Sequence, residues 1–165
     1  MTAPTRPAAL VHPDEAETIG TDTARVRLLL DADRTGDSVS TVEVILARGA
    51  DGAAPHFHTK SDELFVVTEG EIQVLAGEEI VTVGAGGALV VPKFMPHAFG
   101  ATPDSTARLV IALMPGVRRF GYFRLLDRLA RGEATFEDLA ASQDEYDNHF
   151  VDAPAWWAER NAHRA

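Results

Sequence analysis

Between residues 26 and 113 the chain is a succession of short apolar runs. They are Val26–Leu30, Val42–Leu46, Leu64–Thr68, Ile72–Leu75, Ile80–Val83, Leu89–Val91 and Leu109–Leu113, each rich in Val, Ile or Leu and separated by glycine, aspartate or proline. Runs this short do not make helices, and β-branched side chains suit a pleated surface. In the second run Val42, Val44 and Leu46 share one face and Glu43 lies on the other. Such runs at close intervals, with no helix-length pattern between them, predict an all-β sandwich or barrel and argue against alternating βαβ units. A chain of 165 residues with 45% hydrophobic content is sized for one such core.

The texture differs at both ends. Residues 1–15 are rich in Pro and Ala without periodicity and read as a loose N-terminal arm, leaving 16–115 for the barrel and 116–165 for a C-terminal helical extension packing on it. After Pro115-Gly116 the period becomes helical: Phe120, Phe123, Leu126 and Ala130 form a stripe, and Gly132 suits the position just past a helix end. Thr135 reads as the N-cap of a second helix ending near Asp144 to Tyr146, and Pro154 before Trp157 suggests a third. The aromatic residues of this segment are assigned to packing on the outside or the open end of the barrel, with closure of a ligand pocket as the alternative.

Charge and cysteine content narrow the chemistry. A net charge of −10 opposes binding to nucleic acid or to an anionic membrane surface. No cysteine is present, so any metal must sit on nitrogen and oxygen ligands. No stretch has the length and apolarity of a signal-peptide core or a membrane span, and the chain reads as cytoplasmic.

The chemistry concentrates in His56-Phe57-His58-Thr59-Lys60-Ser61-Asp62-Glu63. On a strand His56 and His58 project from the same face about 6–7 Å apart. Two imidazoles buried together without a cation would leave several ring nitrogens to satisfy. A turn through residues 59–62 would return Glu63 to the same face, and His97, just beyond Pro92 and Pro96, offers a third imidazole. Three neutral nitrogens and one carboxylate suit a divalent first-row metal, with Glu63 as ligand, base or both. The isolated His12, His149 and His163 read as surface or satisfied polar residues, and Glu69, Glu71, Glu78 and Glu79 as solvated strand ends and turns.

His56, His58, Glu63 and Gly70 stand at the spacing of the first cupin motif, and Gly86, Pro92 and His97 at that of the second. The chain therefore resembles the cupin superfamily over residues 16–115. That resemblance implies a double-stranded β-helix, or jelly-roll barrel, with His56, His58, Glu63 and His97 holding the metal inside one mouth. Three positions depart from the pattern: Phe94 and Ala101 replace the usual glycine and asparagine, and neither Gly49 nor Gly52 is in register upstream. None of these is a usual ligand position.

The tail, from Leu113-Met114-Pro115-Gly116 into Arg119-Phe120-Gly121-Tyr122-Phe123-Arg124-Leu125-Leu126, is similar to single-domain bacterial cupins of the quercetin dioxygenase type. This second resemblance implies O2-dependent cleavage of a flavonol to a depside and carbon monoxide, with Glu63 as the catalytic base. The small aromatic substrate would be walled by Phe65, Phe94, Met95 and Phe99, while strand parity turns Phe57 outward. The same ligands would serve a redox-neutral cupin isomerase, cyclase or lyase, and a non-catalytic small-molecule binder is the third reading. The metal can be Ni, Co, Fe, Mn, Cu or Zn. The resemblance, with an exposed strand edge as its physical motive, leads to the expectation of a homodimer.

Overall fold

The computed structural model describes residues 5–163; Met1 to Pro4 of the expected arm and the last two residues of the tail lie outside that range. In chain order the elements are β1 (Glu17–Gly20), β2 (Ala24–Leu30), α1 (Ala32–Thr35), β3 (Ser40–Leu46), β4 (Asp51–Phe57), β5 (Asp62–Ala76), β6 (Glu79–Gly84), β7 (Ala88–Val91), β8 (His97–Ala101) and β9 (Ala107–Met114). The tail follows with α2 (Phe120–Ala130), α3 (Phe136–Ala141), α4 (Gln143–Tyr146), β10 (His149–Phe150) and α5 (Pro154–Ala162).

The class is all-β with a helical C-terminal extension, as expected. Every described strand pairing is antiparallel, and the sheet runs β1-β2-β3-β9-β5-β8-β4-β10, with β6 and β7 also paired to β5. The sheet curls because β5 belongs to both halves. Residues 62–70 of β5 pair with β9, and 63–66 also with β7, whereas 71–76 pair with β6 and 72–76 with β8. The two apolar runs at 64–68 and 72–75 are thus one bent strand. Gly70 makes the bend: its φ is 69°, and a Cβ there would collide with the Thr106 carbonyl oxygen.

The curled sheet encloses a core in which alternation decides what is buried. In β3, Ser40, Val42, Val44 and Leu46 are buried and the residues between them half-buried. Val42 and Val44 lie opposite Ile111 and Leu109 of β9, and Phe65, Val67, Ile72 and Val74 come inward from β5. β4 and β8 are not among the apolar runs of the sequence. Their residues are small or polar (Gly52, Ala53, His56, His97, Gly100), so hydrophobicity alone does not mark them.

The tail is tied to the barrel at several points. Asp31 accepts the backbone N–H groups of Arg119 (2.8 Å) and Phe120 (3.2 Å) at the start of α2. Thr135 forms a capping box with Asp138 at α3, and Gly132 has φ 72°. The expected second helix is broken at Ser142, which separates α3 from α4, and Asp147 closes α4 in the left-handed conformation. β10 then pairs with β4, placing His149 opposite Phe57 and Phe150 opposite His56. In α5, Trp156 is fully buried near Leu75 and Ala98, and the buried Arg160 guanidinium donates to the carbonyls of Gly49, Ala50 and Ala101 and to Asp51 and Gln73.

Candidate metal centre

Four side chains from three strands and one loop converge inside the barrel. His56 is the last residue but one of β4, His58 follows the strand in the loop, Glu63 is the second residue of β5, and His97 opens β8 directly opposite His56. All four are buried, and each offers a ligand atom such that these atoms lie within 4.8 Å of one another. The imidazole centroids are 4.2 Å (His56–His97), 4.9 Å (His56–His58) and 5.1 Å (His58–His97) apart. First-row metal bonds of about 2.0–2.2 Å require ligand atoms about 3–4 Å apart, so the cluster needs only small adjustment to hold such an ion.

The hydrogen bonds select the tautomer that a metal needs. His56 Nδ1 donates to the Ala54 carbonyl (2.7 Å), His97 Nδ1 to the Met95 carbonyl (2.9 Å) and His58 Nδ1 to the Asp147 carbonyl (2.5 Å). In a neutral ring the Nε2 lone pair is then left free. Two of those nitrogens face the same carboxylate oxygen, Glu63 Oε2, at 3.2 Å (His58) and 2.5 Å (His97). Lone pairs opposed at such distances repel, and a cation shared among them removes the conflict. The donor set therefore fits a divalent metal.

Charge distribution follows from the same packing. Burial, helped by the neighbouring His97 and His58, holds the His56 pKa well below the usual histidine range, so this ring is neutral at physiological pH. Burial alone would raise the Glu63 pKa, but positive charge shared with His97 and His58, as a proton or in its place a metal, outweighs it and holds the carboxyl well below its usual range.

The cluster opens on a cavity of about 350 Å³. His56 and Glu63 border it together with Val42, Phe99 and Ile111 of the barrel, and the tail supplies Phe120, Phe123, Phe136 and Phe150. The aromatic tail does both things expected of it: Phe120 and Phe123 pack on the barrel core, and with Phe136 and Phe150 they also line the cavity. Among the four residues expected to wall a substrate, Phe99 borders the cavity. Phe65 lies beneath it in the core, edge-on to Phe99 and His97. Met95 packs against the core. Phe94 is 60% exposed, because its φ of 69° and the bond from its N–H to the His58 carbonyl (2.7 Å) turn it away from the barrel. Phe57 stacks on His149 with ring centroids 5.2 Å apart. His12, His149 and His163 are not members of the ligand cluster.

Four further residues complete the centre, and the sequence reading did not single them out for it. Asp147 accepts from His58 through its carbonyl, and its carboxylate accepts from Thr59 N, Thr59 Oγ1 and Lys60 N at 2.7–2.9 Å, fixing the loop between His58 and Glu63. Arg119, Tyr122 and Asn148 border the cavity on its tail side. Their one local sequence signal is Asp147-Asn148, a residue pair suited to a left-handed helix end.

Residues 42–113 match the family model described as "Cupin domain". Protein SchB of Streptomyces halstedii is 32% identical over 90 residues, covering 54% of this chain and 65% of that protein. The polyketide synthase CurC of Streptomyces cyaneus is 29% identical over 90 residues, covering 54% and 58%. The match thus spans less than two thirds of either relative. Among solved structures, the polyketide cyclase RemF from Streptomyces resistomycificus superposes with a TM-score of 0.55 at 22% identity, covering 66% of this chain and 80% of RemF. At that identity the likeness is one of fold.

Proposed function

We propose that this chain, whose residues 42–113 form a cupin domain, is a metal-dependent enzyme acting on a flat, polyketide-like aromatic substrate by redox-neutral proton transfer, as in a cyclisation or dehydration. One observation carries the proposal: His56 and Glu63, two of the four candidate ligands, are also walls of an apolar cavity lined by Phe99, Phe120 and Phe123. A purely structural metal site would be closed to ligands. The polyketide names of CurC and RemF favour the substrate class.

His56, His58, His97 and Glu63 would hold a divalent metal, which would supply Lewis acidity toward an enolic hydroxyl of the substrate. The protein does the rest. Glu63 receives the proton from carbon or oxygen and returns it at the site of ring closure or elimination. The three Nδ1–H bonds to backbone carbonyls hold the imidazoles in one orientation throughout. The tail aromatics exclude water and keep the substrate plane against the barrel.

O2-dependent cleavage of a flavonol is the second reading, favoured by the aromatic tail beside the same four side chains. Oxygen separates the two. Metal analysis of the purified protein comes first, then assays with aromatic poly-β-ketones and with flavonols, aerobically and anaerobically. Turnover without oxygen supports the redox-neutral reading; oxygen consumption with a flavonol, and no anaerobic turnover, overturns it in favour of the dioxygenase. A protein that retains no metal and turns over neither substrate overturns both.

A further inference from the structure

Among the described residues, the tail wall of the cavity holds a buried cation that no carboxylate pairs with. Arg119 is 6% exposed, and its Nη2 donates to Asn148 Oδ1 at 3.0 Å. Its Nη1 lies 3.4–3.5 Å from the two ring nitrogens of His58; Nδ1 is itself a donor to Asp147, so the one acceptor there is Nε2, at 3.4 Å, the nitrogen a metal would take. Arg119 Nε is buried without a partner. The Tyr122 and Phe123 rings lie 5.0 and 5.7 Å from the guanidinium carbon and attract its charge, yet they take none of its N–H groups. Among the described residues no carboxylate forms an ion pair with this guanidinium, in contrast to the equally buried Arg160, which pairs with Asp51.

Asn148 repeats the pattern. It is 1% exposed, its Oδ1 is taken by Arg119, and its Nδ2 is buried without a partner. Two buried N–H groups, one of them charged, therefore lack acceptors on residues that border the same cavity. Native structures rarely leave such groups unmet: a ligand, an ion or an ordered water takes them. A forked guanidinium beside an amide suits an oxygen anion.

The geometry points to an oxyanion subsite: Arg119 and Asn148 receive a carboxylate or ionised enol of the substrate on the tail wall, beside His58. This rests on the reading of the cavity as an aromatic substrate site, and it adds to that reading a substrate that carries an anionic oxygen near the reacting carbon. Arg119 and Asn148 are binding and positioning residues, and Glu63 remains the proton carrier.

The test is calorimetric titration of the full chain, metal-loaded and metal-stripped, with three probes: hydroxynaphthoate for the carboxylate, lawsone for the ionised enol, and naphthol as the neutral ring. In wild type at least one anionic probe binds more tightly than naphthol. Arg119→Met weakens that probe about tenfold or more, and naphthol by less than about threefold, in both metal states. Arg119→Lys, which keeps the charge without the fork, recovers part of the loss. Whichever anion discriminates identifies the natural group. Equal affinity for all three probes, an equal loss for naphthol, or no loss in the variant overturns the proposal. Should Arg119→Met fail to fold, Asn148→Leu is read by the same comparison. Because binding is read without turnover and without metal, failure here leaves the metal-enzyme reading standing, whereas failure of that reading appears in the metal analysis.

Discussion

The imidazole of His58 donates from Nδ1 to the backbone carbonyl of Asp147 at 2.5 Å, across 89 positions of sequence. A candidate ligand of the barrel is thus oriented by the residue that ends α4 in the tail. The same residue's carboxylate holds the loop that carries the chain from His58 to Glu63. Tail and metal centre are therefore one mechanical unit, and perturbing one moves the other.

Replacing His58 by alanine removes one of four ligands and the link to the tail. Metal content after gel filtration is expected to fall by about tenfold or more. Unchanged content, measured by elemental analysis, would show that the ion sits elsewhere.

Glu63→Gln separates ligand from base. Three histidines remain, so metal is retained at raised metal concentration, while the proton carrier is lost. Turnover is expected to drop about 10²–10⁴-fold, with circular dichroism unchanged. Activity close to wild type in the metal-loaded variant would reduce Glu63 to a passive ligand.

Asp147 predicts a pH dependence. Burial would raise its pKa, but the bonds from Thr59 and Lys60 outweigh that and lower it. A carboxyl with a folded pKa below its unfolded value stabilises fully above the unfolded value, near 4, and loses that contribution as pH falls through the folded one. Asp147→Asn tolerates the left-handed backbone, where φ is 51°. Urea unfolding should show the variant less stable at neutral pH, with the gap to wild type narrowing below about pH 4. A gap constant with pH would mean that the charge plays no part.

Phe136 is 76% exposed yet borders the cavity, which suits a residue at the mouth. Phe136→Ala should leave stability within about 0.5 kcal/mol and weaken binding of a flat aromatic, measured by calorimetry. A loss of stability without a change in affinity would assign it to packing.

Arg160→Met leaves three backbone carbonyls, Asp51 and Gln73 without their shared donor. The expected loss is about 1–3 kcal/mol, from buried carbonyls left unmet, in urea unfolding, with metal content unchanged in the folded fraction. A smaller loss would show that water replaces the guanidinium.

The strands rich in Val, Ile and Leu were legible because a two-sided pleated surface selects those residues. β4 and β8 were not marked by apolar runs, because a strand facing a polar site bears small and polar residues instead; the His56–His58 spacing alone pointed to a strand there, and that strand ends at Phe57, one residue before His58. The bend in β5 was hidden for a related reason: Gly70 reads as a break in sequence and becomes a continuous strand only when Thr106 closes over it. Phe94 was expected at the pocket because it stands close to His97 in sequence, but the turn that carries it has positive φ and turns the ring to solvent.

The sequence by itself determined the all-β class, the helical tail and the grouping of His56, His58 and Glu63, because period-two alternation and the spacing of ligands around a turn are local properties of the chain; His97 was reached through the cupin resemblance. Only the tertiary structure decided that the tail forms a cavity wall, that Asp147 orients His58, and that Arg119 and Asn148, each with a buried N–H group unpaired, border the cavity. Each of these depends on residues distant in sequence meeting across the barrel mouth, where closure of the sheet and docking of α2 and β10 set the distances. No local pattern encodes that meeting.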